Sequence, residues 1–308
     1  MGSMTKVMQK IQEEGAPARL GPPDAEVAPG APPPEEVFPG PPSEFVADAG
    51  PTGDASASPG PASAGTEPQV HGEITAWDTQ RVDPAVVAFH DRYSGSVEQY
   101  RASRARLLTM NTGRAAQVLA ITSAIPEEGK SVSTLNLGLV MAEGGEHRIL
   151  VVDADFRRTS LARMLGVPEG PGLAEVLRGE VRLSEALQST PLPNLRLLPA
   201  GKTRGNSYGE LLGGPTLTAL LGELRASYDY TFVDTPPVTT VSDVCLLAPH
   251  CDGALVVIQM RRTPEPTVQQ AVRTLQANNV KIIGAILSRF RERGASYYDH
   301  YYSSYYYR

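Results

Sequence analysis

Several features that mark large protein classes are missing from this sequence of 308 residues. It has no apolar run of about 18 residues, so no membrane-spanning helix is predicted, and no signal peptide is recognisable. Only two cysteines, Cys245 and Cys251, are present, which argues against a zinc site and fits a reducing compartment. The net charge of -6 argues against general nucleic-acid binding. We therefore expect a cytoplasmic protein without nucleic-acid partners.

The first quarter of the chain also lacks sustained apolar periodicity. Fourteen of the 27 prolines precede residue 70, in a stretch crowded with glycine, alanine and glutamate. Such a composition cannot bury enough apolar surface to offset the entropy cost of ordering. Residues 1–79 are therefore predicted to be a disordered Pro/Gly/Ala-rich arm. Within it, residues 4–13 are predicted to form at most a short helix of marginal stability.

Aromatic residues make up only 6% of the chain, yet seven of its twelve tyrosines lie in the last twelve residues. Burying so many phenols without hydrogen-bond partners would be costly. We therefore predict that residues 294–308 form a flexible, exposed tail that presents hydroxyl groups; a merely sticky or disordered tail is the alternative. The tyrosines concerned are Tyr297, Tyr298, Tyr301, Tyr302, Tyr305, Tyr306 and Tyr307.

Between arm and tail, residues 80–293 alternate short apolar runs with helical patterns. This order predicts an α/β domain with a mostly parallel sheet flanked by helices, which binds its ligand beyond the carboxyl ends of the strands. The predicted strands are Val118–Thr122, Ile149–Val152, Leu195–Leu198, Thr231–Val233, Ala254–Ile258 and Ile282–Leu287. The predicted helices are Ser131–Glu143, Leu173–Leu177, Leu211–Ser227, Ser242–Leu247 and Pro266–Ala277.

A phosphate-binding loop is indicated between the first of these strands and the first helix. It ends in Gly129, Lys130 and Ser131, which supply a lysine for phosphates and a hydroxyl for Mg²⁺ at a helix N-terminus. Ala124 stands where such loops usually have their first glycine, so an ordinary loop with a solvated lysine is the alternative. The residues predicted to contact the nucleotide are Glu128, Gly129, Lys130, Ser131 and Val132.

Three aspartates follow two of the predicted strands: Asp153, Asp155 and Asp234. An aspartate at a strand end is often only a turn former, but three beside a phosphate loop favour a magnesium–nucleotide site. Ser131, Asp155 and Asp234 are predicted to hold Mg²⁺, directly or through water. With phosphate acceptors in the tail, the chain has the parts of a kinase that modifies itself. Asp153 or Asp155 is predicted to act with Lys130 in catalysis, by accepting the tyrosine proton.

These motifs together resemble the bacterial tyrosine kinases that regulate capsule and exopolysaccharide synthesis, which belong to the deviant-Walker P-loop ATPases. The resemblance covers residues 81–308 and lies in residues 123–134, residues 149–158, residues 230–237 and the tyrosine tail. It implies ATP and Mg²⁺ as cofactors, tyrosine as acceptor, phosphorylation of the tail in trans and control of polysaccharide synthesis or export. The related septum-site and partition ATPases carry a signature lysine where this chain has Ile125, which disfavours an ATPase switch. An ATP-binding scaffold is disfavoured by the intact aspartates.

The resemblance also assigns finer roles and shows departures. It implies Asp153 as the base and places Asp155 near the metal, while Arg157 or Arg158 would stabilise phosphate charge unless it is only a surface residue. Thr159 replaces the family's usual proline. A serine and an arginine at positions 288–289 replace the usual asparagine near the adenine, which leaves the adenine contacts open.

An oligomerisation motif of this family, Glu-x2-Arg-x2-Arg, matches Glu98, Arg101 and Arg104, which a helix would place along one side. A solvated helix face is the alternative. The resemblance implies a ring-like homo-oligomer in the unphosphorylated state and a cognate tyrosine phosphatase. Because no two-helix anchor precedes the kinase region, it also implies a separate subunit that a membrane activator, similar to a polysaccharide co-polymerase, recruits to the inner membrane.

Overall fold

The computed structural model describes residues 79–202 and 208–289. Strands and helices alternate through these ranges. The strands are β1 (Gln117–Ser123), β2 (Ile149–Asp153), β3 (Gln188–Ser189), β4 (Leu195–Leu198), β5 (Tyr230–Asp234), β6 (Gly253–Gln259) and β7 (Ile282–Ser288). The α-helices are α1 (Val87–His90), α2 (Gly95–Met110), α3 (Lys130–Ala142), α4 (Leu161–Met164), α5 (Leu173–Leu177), α6 (Leu183–Ala186), α7 (Tyr208–Leu212), α8 (Pro215–Ser227), α9 (Asp243–Leu247) and α10 (Glu265–Ala277). Short 3₁₀ turns cover Thr79–Arg81 and Ala248–His250.

The strands form one sheet in the order β3-β4-β2-β5-β1-β6-β7. All neighbouring pairs are parallel except β3 and β4. Every residue of β2, β5 and β6 is buried, as expected for parallel strands that are covered on both faces. The predicted mostly parallel sheet with flanking helices is confirmed.

Side-chain alternation along the strands divides the core between the two faces of the sheet. On β1, Val118 and Ala120 belong to one hydrophobic cluster, which includes residues of α5 to α10. Leu119 and Ile121 belong to the other, with residues of α1 to α4. Both faces are therefore closed by helices, and the carboxyl edge of the sheet is left for the loops that follow the strands.

Eleven of the thirteen residues of helix α3 are buried. Two of its residues fix its position in the fold. A Cβ on Gly138 would come within 2.7 Å of Val151 Cγ2. The absence of a side chain at Gly138 therefore allows α3 to pack closely against β2. Asn136 is fully buried, accepts a hydrogen bond from the Ala88 N–H at 2.8 Å and donates to the Ala85 carbonyl at 3.0 Å. These two hydrogen bonds hold residues 85–88, which precede α2, against helix α3.

Some sequence predictions differ from the structure. The single helix predicted over Leu211–Ser227 is wrong, because the chain breaks at Gly213 and Gly214 and forms α7 and α8 instead. The short antiparallel strand β3 and helix α2 were not among the predicted elements. Residues 1–78 of the predicted arm, which include the helix predicted over residues 4–13, and the tyrosine tail lie outside the described residues, so the domain bounds stay predictions.

Within residues 79–202 and 208–289, no helix combines the length and the apolar character needed to cross a bilayer.

Candidate active site

The candidate site lies at the carboxyl ends of β1, β2 and β5. The strand register aligns Ile121 of β1 and Asp153 of β2 with Asp234 of β5. The Ala154 N–H donates to the Asp234 carbonyl at 2.8 Å, which continues the pairing past the end of β2. The parallel register therefore brings the three sequence-predicted motifs to one edge of the sheet.

The phosphate loop between β1 and α3 has an unusual backbone. Glu127 has a φ of 66° and Gly129 a φ of 90°, values in the left-handed region that glycine adopts readily and glutamate rarely does. Arg158 and Arg262 lie 3.4 Å and 3.5 Å from the Glu127 carboxylate. Gly129 is the N-cap of α3, so the first N–H groups of the helix, which lack carbonyl partners within it, follow the loop directly.

Lys130 lies at the centre of the site. Its Nζ donates to Asp155 Oδ2 at 2.7 Å and lies 3.5 Å from both carboxylate oxygens of Asp234. Burial by itself lowers the pKa of Lys130, but the charges of Asp234 and Asp155 outweigh burial and raise it. The lysine is therefore a buried cation held by two carboxylates.

Ser131 and Asp234 form the second contact of the site. Ser131 Oγ donates to Asp234 Oδ2 at 2.5 Å, and it also lies 3.3 Å from Lys130 Nζ. Burial raises the pKa of Asp234, and Lys130 and Ser131 act against that rise. Hydroxyl, carboxylate and ammonium thus meet where the sequence predicted a magnesium–phosphate site.

The two aspartates after β2 have different surroundings. Asp155 pairs with Lys130 and accepts the backbone N–H groups of Arg157 and Arg158 at 3.3 Å and 3.1 Å. Asp153 accepts three backbone N–H groups, from Asp155, Ser160 and Leu161, at 3.2 Å, 2.9 Å and 3.1 Å. Burial, together with the charge of Asp234, raises the pKa of Asp153 to about 7. Asp153 therefore holds the turn that carries Asp155.

A cavity of about 630 Å³ opens beside these residues. Asp155 lines it, whereas the buried Asp153 and Asp234 do not. Arg157 also lines it, donates to Asp243 at 3.2 Å and lies 5.0 Å from the centre of the Tyr208 ring. The wall is rich in arginine and proline: Pro126, Glu127, Gly129, Lys130, Ser131, Val132, Asp155, Arg157, Arg158, Thr159, Ser160, Arg163, Met164, Pro236, Pro237, Thr240, Val241 and Arg289.

Of the residues predicted to contact nucleotide, four line this cavity: Gly129, Lys130, Ser131 and Val132. The side chain of the fifth, Glu128, is instead buried under the loop, at 1% exposure. Ser288, which replaces the expected asparagine, donates through Oγ to the Glu128 carbonyl at 2.6 Å. Thr263 also donates a hydrogen bond to Glu128. No sequence motif predicted this contact.

The oligomerisation motif lies on α2, away from the cavity. The Arg101 guanidinium makes two bonds to Glu143, at 2.8 Å and 2.7 Å, and a third to Glu98. Arg104 Nε is buried without a hydrogen-bond partner. In a single chain, Arg101 therefore already has partners, and the subunit contact stays a prediction.

The residues present fit a magnesium nucleotide. The described ranges contain no group of three or more histidine, cysteine or acidic residues placed to hold a metal ion without help. Mg²⁺ bound with a nucleotide needs only one or two protein ligands, because phosphate and water oxygens complete its shell. Ser131 and Asp234 supply such a pair, beside a lysine and a helix N-terminus for the phosphates.

A parallel sheet with a glycine-lysine-serine loop after β1, and acidic residues after two neighbouring strands, defines a P-loop nucleotide-binding protein. A sequence model of the AAA domain matches residues 116–283. The tyrosine-protein kinase YwqD of Bacillus subtilis is 31% identical over 221 residues, which cover 72% of this chain and 92% of the relative. The kinase domain of the Escherichia coli tyrosine kinase ETK superimposes with a TM-score of 0.62 at 27% identity, covering 67% of this chain and 82% of that one.

The chain therefore belongs to the bacterial tyrosine kinases of the P-loop family, as its motifs implied. A longer relative, the succinoglycan biosynthesis transport protein ExoP of Rhizobium meliloti, is 32% identical over 220 residues. The match covers 68% of this chain but only 28% of ExoP.

Proposed function

We propose that the chain transfers the γ-phosphoryl group of ATP to tyrosine hydroxyls, and that its own C-terminal tyrosines are acceptors. The observation that carries this proposal is the contact of the cavity-lining residues Lys130, Ser131 and Asp155 with one another and with the buried Asp234 behind them, at 2.5 to 3.5 Å. Membership of the tyrosine kinase family supports the reaction. The tyrosine tail supports the choice of acceptor by its sequence alone.

Phosphoryl transfer depends mainly on placement and charge neutralisation. Lys130 exchanges its contact with Asp155 for oxygens of the β- and γ-phosphates, and the first N–H groups of α3 bind further phosphate oxygens. Ser131 and Asp234 would hold Mg²⁺, with Asp155 beside them; when bound, Mg²⁺ neutralises phosphate charge. The phenol oxygen attacks the γ-phosphorus, ADP leaves, and the phenol proton passes to the carboxylate pair Asp153 and Asp155.

Separate asparagine variants identify the proton acceptor within this pair. Replacing the acceptor should lower kcat by about 100-fold or more, the usual size of general-base catalysis, while Mg-ADP binding is retained. Replacing a carboxylate that holds the metal should weaken Mg-ADP binding as well. Single-turnover rates and ADP titrations of D153N and D155N decide between them. Near wild-type rates in both variants would contradict the assignment to this pair.

The acceptor assignment has a direct test. The purified full-length chain, incubated with Mg²⁺ and labelled ATP, should gain phosphotyrosine that mass spectrometry maps to residues 297–307. Changing all seven tail tyrosines to phenylalanine keeps most of the aromatic surface and should remove most of the label. Undiminished labelling of that variant would overturn the tail as acceptor without touching the kinase assignment.

The finer biological role that we propose is regulation of the synthesis or export of extracellular polysaccharide. The name of ExoP, a succinoglycan biosynthesis transport protein, supports this, and the segment of ExoP that matches this chain is 28% of its length. In this proposal, the kinase binds such a transport protein at the membrane as a separate polypeptide. In cell fractionation, the kinase should sediment with membranes only when that partner is present. Equal membrane-bound amounts without the partner would contradict this role.

A further inference from the structure

Glu128 belongs to the phosphate loop, yet its carboxylate lies in the protein interior. In residues 79–202 and 208–289, no lysine or arginine pairs with it. Instead, Oε2 accepts the Ile125 N–H at 2.8 Å, and Oε1 accepts the Gln259 N–H at 3.0 Å and the Thr263 hydroxyl. A buried carboxylate is tolerated when hydrogen bonds replace its hydration, and here three donors do so.

The backbone of the same residue is held as well, since Ser288 donates its hydroxyl to the Glu128 carbonyl. One loop residue is thus tied to the start of its own loop, to the end of β6, to the turn before α10 and to the end of β7. We call Glu128, Thr263 and Ser288 the Glu128 latch.

The latch acts where the backbone most needs support. Glu128 stands between Glu127 and Gly129, which both have positive φ values of 66° and 90°. A non-glycine residue persists in this region only where its surroundings over-determine the conformation. The hydrogen bonds of Glu128 therefore restrain the backbone between two residues with positive φ, directly before the N–H groups at the start of α3.

We propose that Glu128 is a positioning residue for ATP, which acts through its buried side chain rather than through contact with the nucleotide. Thr263 and Ser288 share this role. The proposal rests on the proposed function in taking the cavity as the ATP site. It predicts that breaking the latch weakens nucleotide binding while the fold and the acceptor site persist.

The test compares variants of the full-length chain in two readouts, the KM for ATP and the affinity for a fluorescent ADP analogue. In Glu128→Gln, the new amide donor faces the N–H of Ile125 or the N–H of Gln259, so two donors oppose each other. At metal sites, loss of the contacts that orient a ligand typically costs about 10- to 100-fold in affinity or activity. By analogy, we expect a KM for ATP raised by about tenfold or more. The KM for a tyrosine peptide should not change. Thr263→Val and Ser288→Ala, which each remove one donor, should weaken ADP binding in the same direction by smaller factors.

Glu175→Gln is the matched control. Glu175 also accepts two backbone N–H groups, from Gly172 and Lys202, both at 2.8 Å, and does not line the cavity. It should lower the Tm as Glu128→Gln does, with ADP affinity unchanged.

Unchanged ADP affinity in Glu128→Gln, with a Tm lowered as in the control, would overturn the proposal by showing a structural role only. If Glu128→Gln does not fold, Thr263→Val decides in the same way. Absence of ADP binding in the wild type would overturn the proposed function itself, which distinguishes the two failures.

Discussion

At the residue scale, the site concentrates three buried carboxylates around one lysine. Asp153, Asp155 and Asp234 are each exposed by 1% or less and share a single lysine, Lys130. Burial raises the pKa of Asp153 and Asp234, which means that their charged forms are disfavoured in the ligand-free protein. Such a cluster lowers the stability of the fold while it serves the reaction. Replacing one of its aspartates should therefore affect activity and stability in different directions.

Asp234→Asn should therefore lower activity and spare the fold. Phosphotransfer should fall by about 100-fold or more, since one electrostatic group at the reacting phosphates is lost. The Tm of the ligand-free protein should stay unchanged or rise by about 2–4 °C, the shift expected from roughly 1 kcal/mol of relieved repulsion. Calorimetry without nucleotide checks this. A clear fall in Tm would show that Asp234 stabilises the fold.

The sequence predicted the meeting of the lysine and the aspartates because parallel strands end at one edge of the sheet. It could not predict the latch around Glu128. Thr263 and Ser288 lie 135 and 160 positions away from Glu128. Thr263 belongs to no recognisable motif, and position 288 stood out only as a departure from an asparagine expected near the adenine. Such a contact follows from the register of β6 and β7 beside the loop, which only the folded chain defines.

At the element scale, the contact between α3 and β2 positions the phosphate loop beside Asp153 and Asp155. Gly138→Ala should destabilise the protein by about 1–3 kcal/mol, because the new methyl group would overlap Val151. Gly222→Ala, in α8, is the control, because nothing lies within 4 Å of its added Cβ. It should stabilise by about 0.5–1 kcal/mol. Denaturant unfolding of both variants gives the comparison, and equal effects would contradict the close packing.

The elements differed in how far the sequence predicted them. Apolar runs placed β4 and α5 at their observed bounds, because buried segments have a strong signal. Helix α2 was not predicted as an element, since only Val97 and Leu107 of its sixteen residues are buried. The break between α7 and α8 did have a signal, two glycines followed by Pro215, which is typical of a helix start.

At the scale of the whole molecule, the predicted ring places Glu98, Arg101 and Arg104 between subunits. Arg101→Ala should then reduce the mass of the unphosphorylated protein in light scattering. Glu143→Gln controls for the bonds within the chain, because it removes the main partner of Arg101 and leaves the motif intact. Its stability cost should be below about 1 kcal/mol, as for other partly exposed ion pairs, and its mass should equal that of the wild type. A monomeric wild type, or equal loss of mass in both variants, would contradict the subunit contact.

In the proposed function, the site around Lys130 transfers phosphate to tyrosine. The most direct measurement is the rate at which the purified chain gains phosphotyrosine from labelled Mg-ATP, compared with the rate of Lys130→Met at matched helical content. The wild type should label, and the variant should lose nearly all of its rate, since it lacks the cation that binds the β- and γ-phosphates. Labelling of Lys130→Met at the wild-type rate would contradict this site as the source of the activity.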